Sequence, residues 1–91
     1  MVNAAAERGG RDPETAARAD AARQALDRRF ELLVRQAQAD GDVAPERPTG
    51  ALAALLTSVV FGLRALHTAG AHEATRRSVV EETVRGLRAQ E

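Results

Sequence analysis

The stretch that decides the fold reads TGALAALLTSVVFGLRALHTA and runs from Thr49 to Ala69. Only Arg64 and His67 interrupt its small and apolar residues, which recur at the spacing of an α-helix. One side of that helix is a stripe of Leu52, Leu56, Val59, Leu63 and Leu66, widened by Leu55 and Val60. The other side is also free of charge and consists of Ala54, Ser58, Phe61 and Ala65. Because a helix that is apolar on both sides must be buried on both sides, we expect it to lie between other helices.

A long amphipathic helix is predicted before this stretch, over residues 13–39. Asp12 is a typical N-cap, Pro13 suits the first helical position, and Gly41 suits a left-handed end. The face expected to cover a core consists of Ala19, Ala22, Leu26, Phe30, Leu33 and Ala37. The face expected in solvent consists of Gln24, Arg28, Glu31 and Arg35.

Gly70 ends the apolar helix, and a third helix is predicted over residues 73–89. Its apolar stripe is narrow: Val80, Thr83, Val84 and Leu87, with Val79 at the edge. A short helical segment is expected over residues 1–10. The sequence therefore predicts one all-α domain of three main helices, with the second helix at 49–69.

The composition indicates a small core. The chain has 91 residues, and its only aromatic residues are Phe30 and Phe61. Much of the 44% hydrophobic content is alanine, which favours helix but buries little surface. A partner chain would therefore help to bury the leucines and valines.

The charge balance argues against nucleic-acid binding by this chain. Its 13 basic residues, all arginine, are matched by 13 acidic residues, so the formal net charge is zero. An arginine-only, alanine-rich composition is typical of a GC-rich bacterial genome.

Because no signal peptide is evident, we expect a soluble, cytoplasmic protein. Residues 50–69 are long enough to span a membrane, but Arg64, His67 and the charged flanking helices argue against it.

No constellation of catalytic or metal-binding residues stands out. His67 and His72 are five residues apart, whereas two ligands on one helix face would be three or four apart. Asp40-Gly41-Asp42 lacks the rest of a calcium-binding loop and is better explained as a helix end. The serines and threonines have no general base beside them in sequence. We therefore expect no enzyme activity, no cofactor and no metal.

The order of these pieces resembles the C-terminal ligand-binding and dimerisation domain of TetR-family transcriptional regulators. The resemblance rests on the helix ending at residues 33–43, on Phe61-Gly62-Leu63-Arg64-Ala65-Leu66, and on the final helix with residues 79–84. It implies a homodimer built by a four-helix bundle from the second and third helices of each copy. The family's N-terminal helix-turn-helix domain is absent from this chain, which is expected to be a fragment that reaches DNA only through that domain.

The resemblance also implies two sets of site residues. The dimer interface is expected at Leu55, Val59, Gly62, Leu66, Val80, Val84 and Leu87. The face with Ala54, Ser58, Phe61 and Ala65 is the rival surface, and core packing within the chain is the simpler explanation of either set. A small apolar effector is expected to contact Leu26, Phe30 and Phe61. The alternative function is a stand-alone helical protein–protein interaction module.

Overall fold

The computed structural model describes residues 12–89 and shows three α-helices and no strand in that range. They are α1 (Pro13–Ala39), α2 (Thr49–Thr68) and α3 (Glu73–Leu87). The all-α class predicted from the sequence is therefore confirmed. α2 ends one residue before its predicted end and α3 ends two residues before its own. The short helix expected over residues 1–10 lies outside the described residues.

Capping hydrogen bonds and the backbone conformations of single residues explain where the helices begin and end. The carboxylate of Asp12 caps α1 by accepting a hydrogen bond from the backbone N–H of Thr15 at 2.7 Å. That hydrogen bond lowers the pKa of Asp12 below its usual value. Gly41 and Gly70 follow α1 and α2 with φ of +85°, a left-handed conformation that glycine adopts without steric penalty. These two turns reverse the chain between successive helices.

α2 is the central helix of a thin, elongated layer. It contacts both α1 and α3, whereas no close backbone approach joins α1 to α3 within residues 12–89. The layer measures 56 × 29 × 16 Å and has a radius of gyration of 16.2 Å. A compact chain of this length would have a radius of gyration of about 12 Å. The difference arises largely from α1, since a helix of its length spans about 40 Å and reaches beyond its neighbour.

The buried core is small and lies at one end of the layer. Its members within the described range are Val34, Val43, Leu52, Ala53 and Thr57. The loop after α1 closes this end, because Arg47 donates a hydrogen bond to the carbonyl of Gly86 at 2.8 Å. A core of this size leaves the free energy of unfolding of a single chain low.

The packed face of α1 differs from the face expected from its sequence. Leu33 is 61% exposed and Ala22 is exposed as well, so the expectation that these two residues cover the core is wrong. The buried residue of the helix is Val34. The other members of the expected stripe are half-buried: Ala19, Leu26, Phe30 and Ala37.

Hydrogen bonds to α2 explain why α1 packs with Val34, and not Leu33, against the core. Asp27 and Glu31, two acidic residues, lie on the packed side with Val34. The hydroxyl of Thr57 donates to the Asp27 carboxylate at 2.5 Å, and that of Thr49 donates to Glu31 at 3.4 Å. Polar side chains with partners can therefore occupy a face that hydrophobicity alone would assign to leucine.

α3 shows a similar shift. Val79, Thr83 and Leu87 are half-buried, whereas Val80 and Val84 are 44% and 40% exposed. The stripe expected to pack as one unit is therefore divided, and Val79, expected at its edge, lies on the packed side.

Candidate helix–helix interface on α2

The open side of α2 carries a continuous surface without a charged residue, which we call the α2 face. Seven exposed residues form it: Ala51, Ala54, Leu55, Ser58, Phe61, Gly62 and Ala65. Leu55 is 48% exposed and Phe61 is 40% exposed. The hydroxyl of Ser58 donates to the carbonyl of Ala54 at 2.9 Å, so its hydrogen-bonding potential is met within the helix. The α2 face is thus apolar along about 21 Å of helix.

Helix geometry explains why this surface is left open. Successive residues of a helix are rotated by about 100°, so the seven residues of the α2 face fall within an arc of roughly 120°. Buried Leu52, Ala53 and Thr57 lie outside that arc, and Thr57 contacts Asp27 of α1. Both neighbouring helices are therefore already accommodated, and only a contact from outside the described layer would cover the α2 face.

Gly62 lies in the middle of the α2 face. A Cβ atom at this position would meet no atom within 4 Å, so packing within the chain does not require glycine there. Glycine in the middle of a helix costs about 1 kcal/mol relative to alanine. Close approach of another backbone is a common reason for such a glycine.

The structure places the seven residues predicted for the dimer interface in different surroundings. Leu55 and Gly62 belong to the α2 face, and Val59, Leu66 and Leu87 are half-buried. Val80 lines a groove with Val60 and Leu63, while Val84 and Leu87 line another with Val43. Val60, which lines the first of these grooves, is rotated by roughly 160° around α2 from Gly62. A single flat contact therefore does not reach both that groove and the α2 face.

The residues of the alternative surface lie next to two residues of the predicted interface. Ala54, Ser58, Phe61 and Ala65 lie beside Leu55 and Gly62 on the α2 face. From the sequence alone the two surfaces are alternatives, because a helical wheel shows apolar residues all round α2. Only the positions of α1 and α3 decide which part of that wheel stays open.

The three residues predicted to contact an effector lie on two helices. Leu26 and Phe30 are half-buried on α1, and Phe61 is on the α2 face. None of the three lines the groove between α2 and α3. Their contact with an effector therefore stays a prediction.

By length and composition, α2 is also apolar enough to cross a membrane. An 18-residue stretch of it has a mean hydropathy of 1.7, and 17% of that stretch is buried. However, Thr57, near the middle of α2, holds the Asp27 carboxylate at 2.5 Å. A bilayer around α2 would surround this charge unless α1 separated, and a charge at the bilayer centre costs about 3 kcal/mol or more. The contact favours packing of α2 against protein.

The fold and the α2 face together define a small all-helical domain with one uncharged helix surface open to solvent. Comparison with protein-family models, with curated proteins and with solved structures gives no match for this chain. Its role is therefore inferred from its residues and their geometry.

Proposed function

We propose that this chain is a helical association domain that forms a homodimer through the α2 face. The observation that carries the proposal is the exposure of Leu55 and Phe61 within a surface that holds no charge. Contiguous apolar surface of this kind is typical of protein–protein contacts. The small core of the single chain supports the same conclusion, since a second copy would add buried apolar surface.

A second copy suits the α2 face better than a charged partner. In a two-fold contact the same surface is present on both copies, so it must be complementary to itself. Bulky Leu55 and Phe61 would pack over the alanines and Gly62 of the other copy, and no like charges would meet. A helix apolar on this side would then be buried on both sides.

We further propose that this domain is the regulatory part of a TetR-like transcriptional regulator. Support comes from the resemblance in helix order and in the Phe61–Leu66 segment, and DNA binding is assigned to a domain outside this chain. In such a regulator, a small effector bound to the helical domain would shift the spacing of two DNA-binding domains. The genomic DNA upstream of this chain should then encode an in-frame helix-turn-helix, and its absence would contradict this part of the proposal.

The alternative is a stand-alone helical module that binds a different protein. It is favoured by Leu32 and Leu33, which are 65% and 61% exposed on α1 and lie outside the α2 face. Such a module would form a heteromeric complex without self-association.

Sedimentation equilibrium over a range of concentrations tests the homodimer. We expect the unmodified chain to be a dimer, and Leu55→Glu to raise the dimer Kd at least about a hundredfold, since burying an unpaired carboxylate costs several kcal/mol. Leu33→Glu is the matched control, because it places the same charge at a similarly exposed leucine on α1. It should leave the Kd unchanged.

Two results would contradict this proposal. A folded chain that stays monomeric at every concentration would exclude the homodimer and favour the interaction module. Dissociation by Leu33→Glu but not by Leu55→Glu would place the contact on α1. Circular dichroism of each variant establishes that a loss of dimer is not a loss of helix.

A further inference from the structure

An open groove of about 740 Å³ lies between α2 and α3, turned away from the α2 face. Its apolar lining, which we call the floor, consists of Val60, Leu63 and Val80. Its polar lining, which we call the rim, consists of Arg64, Arg76 and Arg77, with His67, Thr68 and Glu73.

The groove carries positive charge in a chain whose formal net charge is zero. Its one carboxylate, Glu73, is held by Arg77 at 3.0 Å. Arg76 donates one hydrogen bond to the carbonyl of Ala71 at 2.8 Å. Among residues 12–89, neither Arg76 nor Arg64 forms an ion pair. Two guanidinium groups at the rim are therefore available to an anion from outside.

We propose that this groove binds a small organic carboxylate with an apolar body, such as a medium-chain alkanoate. The hydrocarbon chain lies over Val60, Leu63 and Val80, and the carboxylate is bound by Arg64 and Arg76. Guanidinium groups suit this role because their N–H donors match the two oxygens of a carboxylate. The site does not depend on the proposed homodimer, since none of its lining residues belongs to the α2 face.

Anionic lipid surfaces share this chemistry, but the position of Arg76 favours a free carboxylate. Arg76 is half-buried and hydrogen-bonded to the carbonyl of Ala71, so its guanidinium is held beside the apolar residues, whereas a bilayer contacts arginines that project freely. We therefore commit to a dissolved ligand, and a membrane surface becomes one arm of the test.

Titration with sodium octanoate, followed by methyl NMR of the full chain, tests the proposal. NMR is suitable because the chain has neither tryptophan nor tyrosine to report binding by fluorescence. We expect saturable shifts at the methyl groups of Val60, Leu63 and Val80. Octanol and octylammonium, which lack the carboxylate, should bind about tenfold more weakly or not at all.

Two variants measure separately what the charged rim and the apolar floor contribute to octanoate binding. Arg64→Gln should weaken octanoate binding about tenfold, whereas Arg28→Gln, an exposed arginine of α1 outside the groove, should not change it. Val80→Asn removes an exposed part of the floor and should weaken binding even if Arg64→Gln proves unstable.

Three outcomes would overturn the proposal: no saturable binding, equal affinity for octanol and octanoate, or binding that neither Arg64→Gln nor Val80→Asn weakens. Binding to phosphatidylglycerol vesicles without saturable octanoate binding would also overturn it and would indicate a membrane surface. Failure of the homodimer alone would leave all of these readouts unchanged.

Discussion

At the scale of single residues, Thr57 and Asp27 determine how α1 lies on α2. Thr57 is 3% exposed, and its hydroxyl donates to the Asp27 carboxylate at 2.5 Å. The same carboxylate accepts a hydrogen bond from Arg23 at 2.9 Å, so the charge is shared within α1. Other placements of α1 along α2 would lose this hydrogen bond to a charged group, which makes them less stable.

Replacing Thr57 by valine tests this role. Thr57→Val keeps nearly the same volume but removes the donor to Asp27. We expect a loss of about 1.5 kcal/mol in the free energy of unfolding, the lower end for a hydrogen bond to a charged group, since Asp27 keeps Arg23. For a chain of this size, this lowers the Tm by roughly 6–12 °C.

Thr75→Val is the matched control for Thr57→Val. Thr75 is an exposed threonine near the start of α3, so its replacement should change the Tm little. Thermal unfolding by circular dichroism measures both variants. An equal, small effect of the two would show that the Asp27 contact contributes nothing to stability.

At the scale of helices, α2 combines a packed side with an uncharged open side. Its packed side includes Leu52, Ala53 and Thr57. Its open side includes Gly62, where no packing within the chain opposes a larger residue. Glycine therefore lowers the stability of the isolated helix, whereas the space beside it is open to a second backbone.

Gly62→Ala should have opposite effects on folding and on association. Measured in the monomeric Leu55→Glu background, it should raise the free energy of unfolding by up to about 1 kcal/mol through helix propensity. In the otherwise unmodified chain, it should raise the dimer Kd about fivefold or more, the factor that corresponds to roughly 1 kcal/mol at the contact.

Ser78→Ala is the control for helix propensity alone. Ser78 is exposed on α3 and its hydroxyl donates within its own helix, so alanine there should favour helix without changing the dimer Kd. Sedimentation equilibrium and thermal unfolding give the two quantities. A tighter dimer for Gly62→Ala would show that no backbone approaches that position closely.

At the scale of the whole molecule, buried contacts are concentrated at one end. Val34, Val43 and Leu52 form the core there, together with the loop after α1. Residues 13–25 of α1 are exposed except for Ala19, and the turn between α2 and α3 adds no buried residue. Regions with few buried contacts open at low free energy, so stability should fall along the layer.

Amide hydrogen exchange should show this gradient directly. We expect amides of residues 16–22 to be protected roughly tenfold less than those of residues 34–38, because α1 has little tertiary support near its start. Salt should lower the amide protection near the start of α1 further, because it screens the exposed Glu14–Arg18 ion pair, whose charged atoms are 2.6 Å apart. Uniform protection along α1 would contradict this picture.

Local interactions made much of the fold predictable. Asp12, Gly41 and Gly70 mark helix ends because caps and left-handed turns depend on a few neighbouring residues. The apolar character of α2 is equally evident from composition. The groove between α2 and α3 was missed, since Arg64 and Arg76 lie on different helices and no local pattern joins them.

The sequence by itself determined that the described chain is all-helical and where its helices begin and end to within two residues. Tertiary structure decided which faces pack: it turned Leu33 outward, placed Asp27 against Thr57, and separated Gly62 from Val80. The physical reason is that helical periodicity fixes angles within one helix. Which of those angles faces a neighbour depends on contacts between residues far apart in sequence, such as the hydrogen bond that joins Asp27 to Thr57.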